Sequence, residues 1–308
     1  MARVKIKRKS FRDRITVGDV INVIVLLLFT FLCFYPFWYI FIGSISNPNI
    51  PVRRLTFLPK EMTLFNYKEV LKSKGLVEAM CVSVARTLAG TFLSVLVTSF
   101  MAYLFTLSKM PARKFFYRMV IVTMYLSGGL IPTFLVYKSY GLLNSFWVYI
   151  IPGVVSAYNM VLVKTFMENG VPESLGESAS LDGAGPMTIF FKIMLPLSLP
   201  ILATIALFVA VGQWNSWFDN MIYNTATDKW DTLQYLLYKK LNEANKIAEA
   251  ARSGNVNLVG EMLTKQMTLT PVSIRMTITM LVTLPIVCVY PFLQKYFVKG
   301  IMVGAVKG

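Results

Sequence analysis

The chain has 308 residues, of which 56% are apolar and only 15% are charged. A water-soluble domain carries roughly 25% charged residues, so this composition excludes an ordinary soluble fold and predicts a protein dissolved in lipid. The net charge of +16 comes from short basic runs beside apolar stretches, which argues against a nucleic-acid-binding surface. Histidine is absent and the three cysteines are widely separated, which excludes His-dependent catalysis and Cys/His metal sites. We therefore expect no catalytic residue, metal or cofactor in this chain.

Six apolar segments are long enough to cross a bilayer, because about 20 helical residues span the roughly 30 Å of hydrocarbon. Each contains glycine, proline or small polar residues, as buried helices of membrane bundles usually do. The sequence therefore predicts an all-α integral membrane protein with six transmembrane helices. In chain order, the predicted spans are Val20–Ile42, Ala79–Leu107, Phe115–Tyr137, Ser145–Phe166, Pro200–Tyr223 and Met276–Phe297.

The distribution of lysine and arginine predicts the orientation of these spans. Seven basic residues lie among the first fourteen residues of the chain. The short connection after the second span holds four more: Lys109, Arg113, Lys114 and Arg118. Basic residues accumulate in cytoplasmic connections, so we expect both segments, and both termini, in the cytoplasm. Two longer connections, 46–78 and 224–275, mix basic and acidic residues and are predicted to be extracellular.

The sequence contains no energy source for transport. No acid occurs between Glu78 and Glu168, and Asp219 is the one acid inside a late span. Ion-coupled carriers generally need an ionisable site near mid-membrane, so a stand-alone secondary carrier for a small polar solute is the less favoured alternative. A membrane enzyme lacks a plausible acid–base pair. The chain also lacks a GxxxxGK[ST] phosphate loop, so energy for uphill transport must come from another chain.

The connection between the fourth and fifth spans, about 168–199, is predicted to form a helix-turn-helix elbow in the cytoplasm. Pro172 and Glu173 favour a first helical turn, since proline presets φ and an acid suits the positive end of the helix dipole. Asp182-Gly183 predicts the end of that helix, because glycine adopts a left-handed conformation easily. Pro186 then begins a second short helix.

The elbow carries a recognisable motif. Its residues are Glu177-Ser178-Ala179-Ser180-Leu181-Asp182-Gly183 and, after nine intervening residues, Ile193-Met194-Leu195-Pro196. This pattern resembles the EAA motif of ABC importer permeases, with Ser178 in place of the usual alanine. Trp214-Asn215 and the C-terminal run from Gln294 to Gly308 are similar to carbohydrate permeases of the maltose-importer class, on the MalG-like side and nearest the LplC-like branch.

The resemblance implies a type I, MetI-like permease fold in a bacterial cell membrane. It divides the chain into an N-terminal part (1–78), a transmembrane domain (79–299) and a cytoplasmic tail (300–308). It further implies a heterodimer with a MalF/LplB-like permease, two ABC ATPase subunits that bind ATP and Mg²⁺, an extracellular solute-binding protein and an oligosaccharide substrate. The residues that it assigns to coupling with the ATPase are Glu177, Ser178, Ala179, Asp182, Gly183, Ile193, Leu195 and Pro196.

Several polar and aromatic residues within the spans are candidates for the substrate cavity. Arg86 either extends to the outer interface or faces the cavity, where it would meet an acidic sugar. Asn159 lies near mid-membrane, where amides either bond to neighbouring helices or bind sugar. The same alternatives hold for a set in the fifth span that combines amides with aromatic faces: Gln213, Trp214, Asn215 and Trp217.

Three further segments remain open to more than one interpretation. Gly128-Gly129 either allows close packing and a kink or acts as a hinge. The segment 231–254 is predicted to be an extracellular amphipathic helix, and the region after Ser253 is expected to approach the binding protein. The tail from Lys299 either frays or contacts the ATPase pair.

Overall fold

The computed structural model describes residues 17–48, 57–59, 61–72, 75–253, 270 and 272–288. The basic N-terminal run, the region after Ser253 and the C-terminal tail lie outside these residues. Within the described part the protein is helical and has no β-strand. Its α-helices are α1 (Val17–Ser44), α2 (Phe65–Leu71), α3 (Leu76–Leu104), α4 (Arg113–Val122), α5 (Leu130–Ser139), α6 (Ala157–Gly170), α7 (Glu173–Leu181), α8 (Pro186–Ile189), α9 (Leu195–Leu197), α10 (Leu199–Asn215), α11 (Phe218–Tyr223), α12 (Leu233–Arg252) and α13 (Val272–Cys288).

Two described helices, α1 and α3, are each long and apolar enough to cross a membrane. Two more spans are possible if each of two bent pairs of neighbouring helices is counted as one span. Short 3₁₀ turns at Phe146–Gly153 join α6 at 47°, and Pro186–Leu197 joins α10 at 80°. Most of α1 has exposed apolar side chains, which suits a helix that faces lipid or another subunit.

The predicted span Phe115–Tyr137 is not one helix. It consists of the ten-residue helices α4 and α5, separated by residues 123–129. Gly129 has φ +79° and ψ 172°, a conformation outside the α-helical region that glycine reaches without a Cβ clash. The predicted fifth span is also interrupted, because Ser216 is extended between α10 and α11.

The centre of the bundle is formed by α3, α6 and α10. One face of α3 carries small residues that are almost fully buried: Ser83, Gly90, Ser94, Thr98 and Ala102. Small side chains allow helix backbones in a membrane protein to approach closely, so this stripe explains why α3 is the helix against which the others pack. At the end of α3 away from Leu76, its buried side chains join an apolar core with α6, α10 and the elbow.

Candidate functional site

The first arm of the elbow is α7, and a Schellman motif ends it. The amide of Ala184 donates to the Ala179 carbonyl (2.9 Å), and the amide of Gly183 donates to the Ser180 carbonyl (3.1 Å). Gly183 has φ +84°, the left-handed conformation this motif requires at the residue after the C-cap Asp182. The helix therefore ends where the sequence predicts, and α8 begins at Pro186.

The outer surface of α7 is open to solvent. The Glu177 side chain is exposed and forms no ion pair with any described residue. Leu181 is 89% exposed and Met187 is 57% exposed, so apolar side chains flank the acid. Of the remaining motif residues, Ser178, Asp182 and Pro196 are exposed and Ala179, Ile193 and Leu195 are half-buried.

The second arm of the elbow is fixed to the bundle by Phe190. This residue begins a wider π-helical turn, Phe190–Met194, and is fully buried. Its ring lies edge-on to Phe100 (5.2 Å between centroids) and 5.4 Å from the ring of Tyr103, both on α3. Phe190 therefore belongs to the apolar core that α3, α6 and α10 share. The sequence marks Phe190 only as apolar, and its anchoring role becomes visible in the structure.

A second polar site lies at the other end of α3, around Arg86. Arg86 is 2% exposed, and its guanidinium forms a bidentate ion pair with Asp219 of α11. Its Nε donates to Gln213 Oε1 (2.8 Å), and its Cζ lies 4.5 Å from the centroid of the Tyr149 ring. Arg86 is therefore enclosed by groups of its own chain. Its charge is neutralised within the chain, so no acidic sugar is needed to explain it.

Gln213 and Trp214 of α10 also make contacts within the chain. Gln213 Nε2 donates to the carbonyl of Tyr149 (3.3 Å), which links α10 to the first 3₁₀ turn. Trp214 is 8% exposed and its Nε1 donates to the carbonyl of Val282 (3.0 Å) on α13. These two side chains hold helices together in this structure, as polar groups in a membrane bundle usually do.

The remaining cavity candidates fall into two groups. Asn215 accepts a hydrogen bond from Gln234 Nε2 (3.0 Å), and Trp217 stacks on Tyr238 at 4.3 Å between centroids, so both contact α12. Asn159 is different: its side chain is 8% exposed and bonds to no described residue. Among the three amide candidates, Asn159 is therefore the one whose side chain forms no hydrogen bond with a described residue.

The structure pairs Arg86 with Asp219, which the sequence analysis left unassigned. The sequence did contain a signal for this pair. Arg86 lies in the predicted second span and Asp219 in the predicted fifth, and a charge inside an apolar span is energetically costly unless it pairs with an opposite charge. The Asp219 carboxylate also accepts hydrogen bonds from the Ser216 hydroxyl and from the backbone amide of Asn220, each at 2.9 Å. Tyr149, whose ring covers the guanidinium, carried no comparable signal in the sequence.

Close packing at this cluster depends on Gly90. A Cβ atom at Gly90 would lie 2.9 Å from Gln213 Nε2 and 3.0 Å from its Cδ. We expect Gly90→Ala to displace Gln213 from Arg86 and to lower the free energy of unfolding by about 1–3 kcal/mol. The measurement is thermal unfolding of the purified importer complex, followed by circular dichroism. Gly212→Ala is the matched control, because a Cβ there meets no atom within 4 Å. Equal effects of the two variants would contradict the packing role.

On the extracellular side of the predicted topology, charged side chains hold α12 in place. Lys239 Nζ donates to Asp228 (2.9 Å) and to Asp231 (2.8 Å). The bond from Lys239 lowers the pKa of Asp228 below its usual value. Burial by itself would lower the pKa of Lys239, but its bonds to the two acids outweigh burial and raise it. The helix begins at the N-cap Thr232, whose side chain accepts from the amide of Tyr235.

Comparisons with known proteins agree with this architecture. The family model for binding-protein-dependent transport system inner membrane components matches residues 94–218, which include α6, the whole elbow and α10. The polygalacturonan/rhamnogalacturonan transport system permease protein YtcP of Bacillus subtilis (strain 168) is 36% identical over 284 residues, 92% of this chain and 96% of that protein. Protein LplC of the same organism is 35% identical over 293 residues, 95% of each chain.

A solved structure shows the same fold. It is the crystal structure of a bacterial ABC transporter involved in the import of the acidic polysaccharide alginate. The TM-score is 0.79 at 28% identity, and the match covers 94% of this chain and 98% of that chain. Because identity to YtcP extends along nearly the full length of both chains, this protein belongs to the inner membrane components of binding-protein-dependent transport systems, the non-catalytic, multi-pass permease subunits of bacterial ABC importers.

Proposed function

We propose that this chain forms half of the translocation path of an importer for carbohydrate, with an acidic oligosaccharide as the solute. YtcP is named for polygalacturonan and rhamnogalacturonan transport, and the similar solved structure belongs to an importer of alginate. All three polysaccharides contain sugar carboxylates. The partners are a second, MalF/LplB-like permease, two ABC ATPase subunits that bind ATP and Mg²⁺, and an extracellular solute-binding protein.

The elbow α7–α9 is proposed to be the coupling segment. The observation that carries this proposal is its combination of an exposed, unpaired Glu177 with a buried Phe190. The exposed arm offers a contact for an ATPase subunit, and the buried arm belongs to the core of the transmembrane bundle. Closure of the ATPase pair would thereby move α3, α6 and α10 and favour one of two conformations of the path. Glu177 would pair with a basic residue of the ATPase.

The topology of the proposal has six spans and both termini in the cytoplasm. In this proposed topology, the third membrane span consists of α4, α5 and the segment between them, and the sixth span begins with α13. The elbow then lies on the cytoplasmic side and α12 on the extracellular side, toward the binding protein. Within the path, Asn159 is the proposed sugar contact, because its amide has no partner among the described residues. Arg86, Gln213 and Trp214 are assigned to helix packing instead.

The substrate class is tested with the complete importer in proteoliposomes. Uptake and ATP hydrolysis are compared for oligogalacturonate and for a neutral maltooligosaccharide of equal length, each with the binding protein present. We expect a preference of about tenfold or more for the acidic sugar. Equal uptake of both sugars would contradict the acidic substrate, and uptake of neither would contradict carbohydrate import. Asn159→Ala should weaken uptake of the preferred sugar more than Asn215→Ala, whose amide already binds Gln234.

A further inference from the structure

The start of α12 is held by side chains from two other helices. The amide of Leu233 donates to the Ser83 hydroxyl of α3 (2.8 Å), 150 positions away in the chain. The amide of Thr232 donates to Asn220 Oδ1 of α11 (2.7 Å). A helix N-terminus usually takes its acceptors from a cap residue of its own segment, as the Tyr235 amide does here from the Thr232 side chain. Two backbone amides at the start of α12 instead depend on distant residues of the bundle.

These contacts form a buried polar cluster. Ser83, Asn220 and Thr232 are almost fully buried. Asn220 Nδ2 also donates to the carboxylate of Asp231 (3.2 Å), which accepts a further bond from Lys239 on α12 (2.8 Å). A buried donor or acceptor that loses its partner is costly, because water does not replace the lost bond. The cluster therefore fixes the start of α12 to α3 and α11.

The cluster is continuous with the ion pair of the bundle. Asp219 precedes Asn220 in α11 and pairs with Arg86 of α3. One residue of α11 therefore binds α3 while the next binds the start of α12. Apolar packing acts in the same direction, because Leu233 of α12 shares a buried core with Leu76 of α3. The first turn of α12 and the Leu76 end of α3 are thus joined by polar and apolar contacts together.

The second half of α12 carries exposed polar side chains. Those that the structure describes are Glu243, Asn245, Lys246 and Glu249. Asn245 accepts a hydrogen bond from Arg275 on α13 (3.2 Å), which gives α12 a further contact with the bundle. The charged side chains of this half are accessible to another protein.

We propose that α12 and the adjoining end of α3 move as one body, so that a solute-binding protein docked on the exposed half of α12 displaces α3 directly. The inference rests on the proposed function, in which α12 lies outside the membrane toward that protein. A swing of α12 alone would open both amide bonds and separate Asn220 from Asp231. Each buried group left unpartnered disfavours the opened form by about fivefold or more, so the three together disfavour it by about a hundredfold. Motion of the joined pair opens none of these bonds and is therefore favoured.

The joint movement is tested by pulsed electron paramagnetic resonance on the complete importer in nanodiscs, with the three cysteines of this chain replaced by serine. Spin labels at Glu78→Cys on α3 and Lys246→Cys on α12 should keep the same distance, within about 2 Å, without nucleotide and with trapped ATP. Labels at Lys246→Cys and Glu173→Cys, the latter on α7, should change their distance. A larger shift between α3 and α12 would overturn the proposal. An unchanged distance to α7 would count against the ATP-driven importer itself, and so against both proposals.

Two serine variants on α3 separate the cluster from general packing. Ser83→Ala removes the acceptor of the Leu233 amide. It should broaden the distance distribution between α3 and α12 and lower the ratio of binding-protein-stimulated to basal ATP hydrolysis by about fivefold. Ser99→Ala is the matched control, because Ser99 is as deeply buried but its hydroxyl donates within α3, to the carbonyl of Leu96. Asn220→Ala should act like Ser83→Ala, through the other amide.

The outcomes distinguish this proposal from the proposed function. Equal effects of Ser83→Ala and Ser99→Ala on the stimulation ratio would overturn the role of the cluster while leaving the importer function intact. Absence of stimulation by the binding protein in the unaltered complex would contradict the proposed function instead.

Discussion

Replacing Glu177 with alanine is expected to lower binding-protein-stimulated ATP hydrolysis by the reconstituted importer by about tenfold or more. Glu177 is exposed and unpaired within this chain, so its proposed partner is a basic residue of the ATPase. Truncating one member of a buried interfacial charge pair costs roughly 2–5 kcal/mol, and each 1.4 kcal/mol is a factor of ten. Hydrolysis by the isolated ATPase subunits should not change.

A second variant tests the coupling role of the elbow through its backbone geometry. Gly183→Pro should uncouple the importer as strongly, because proline cannot adopt φ +84° and lacks the amide that donates to the Ser180 carbonyl. Glu69→Ala is the control, since it removes an acid whose surface pair with Lys72 contributes little. Normal stimulation in both elbow variants would end the coupling proposal, whereas loss of stimulation in the control would show a nonspecific effect of charge.

Asp219→Ala is expected to destabilise the protein strongly, by about 3–5 kcal/mol, because it leaves the buried guanidinium of Arg86 without its counter-charge. Arg86→Met should lower the free energy of unfolding by a smaller amount. The Asp219 side chain is 21% exposed and keeps its bonds from the Ser216 hydroxyl and the Asn220 amide. The measurement is thermal unfolding of the purified importer complex, followed by circular dichroism.

The double variant distinguishes an ion pair from two independent packing roles. In Arg86→Met/Asp219→Ala no buried charge remains, so much of the stability lost in Asp219→Ala should return. Additive losses in the double variant would contradict the pairing. Uptake of the acidic oligosaccharide provides a further readout, because a substrate-binding Arg86 would lose sugar specificity in every variant that removes it, even where stability is recovered.

The sequence predicted the elbow closely because its signals are local. Proline at the start of α8 and glycine after α7 act through the conformation of their own backbone, and neither depends on distant residues. The apolar character of α1 and α3 likewise identified them as spans. Hydropathy could not show that the predicted third span divides before Gly129, since apolar residues continue on both sides of the break.

The polar residues of the spans were harder to interpret, because their roles depend on contacts between distant parts of the chain. Arg86 is separated from Asp219 by 133 positions, and Trp214 from its Val282 acceptor by 68. The sequence offered packing and sugar binding as alternatives for these side chains, and composition cannot decide between them. The structure shows which of these side chains already bond within the chain.

Hydrogen exchange at α7 tests the central claim most directly, because it reports whether an ATPase subunit covers this helix. Amides of Glu173–Leu181 are compared in the permease pair alone and in the full complex with the ATPases, with α2 as an internal reference. The account predicts exchange about tenfold slower at α7 in the full complex and no change at α2. Identical exchange at α7 in both preparations would show that the elbow faces only solvent or lipid, and would contradict the account.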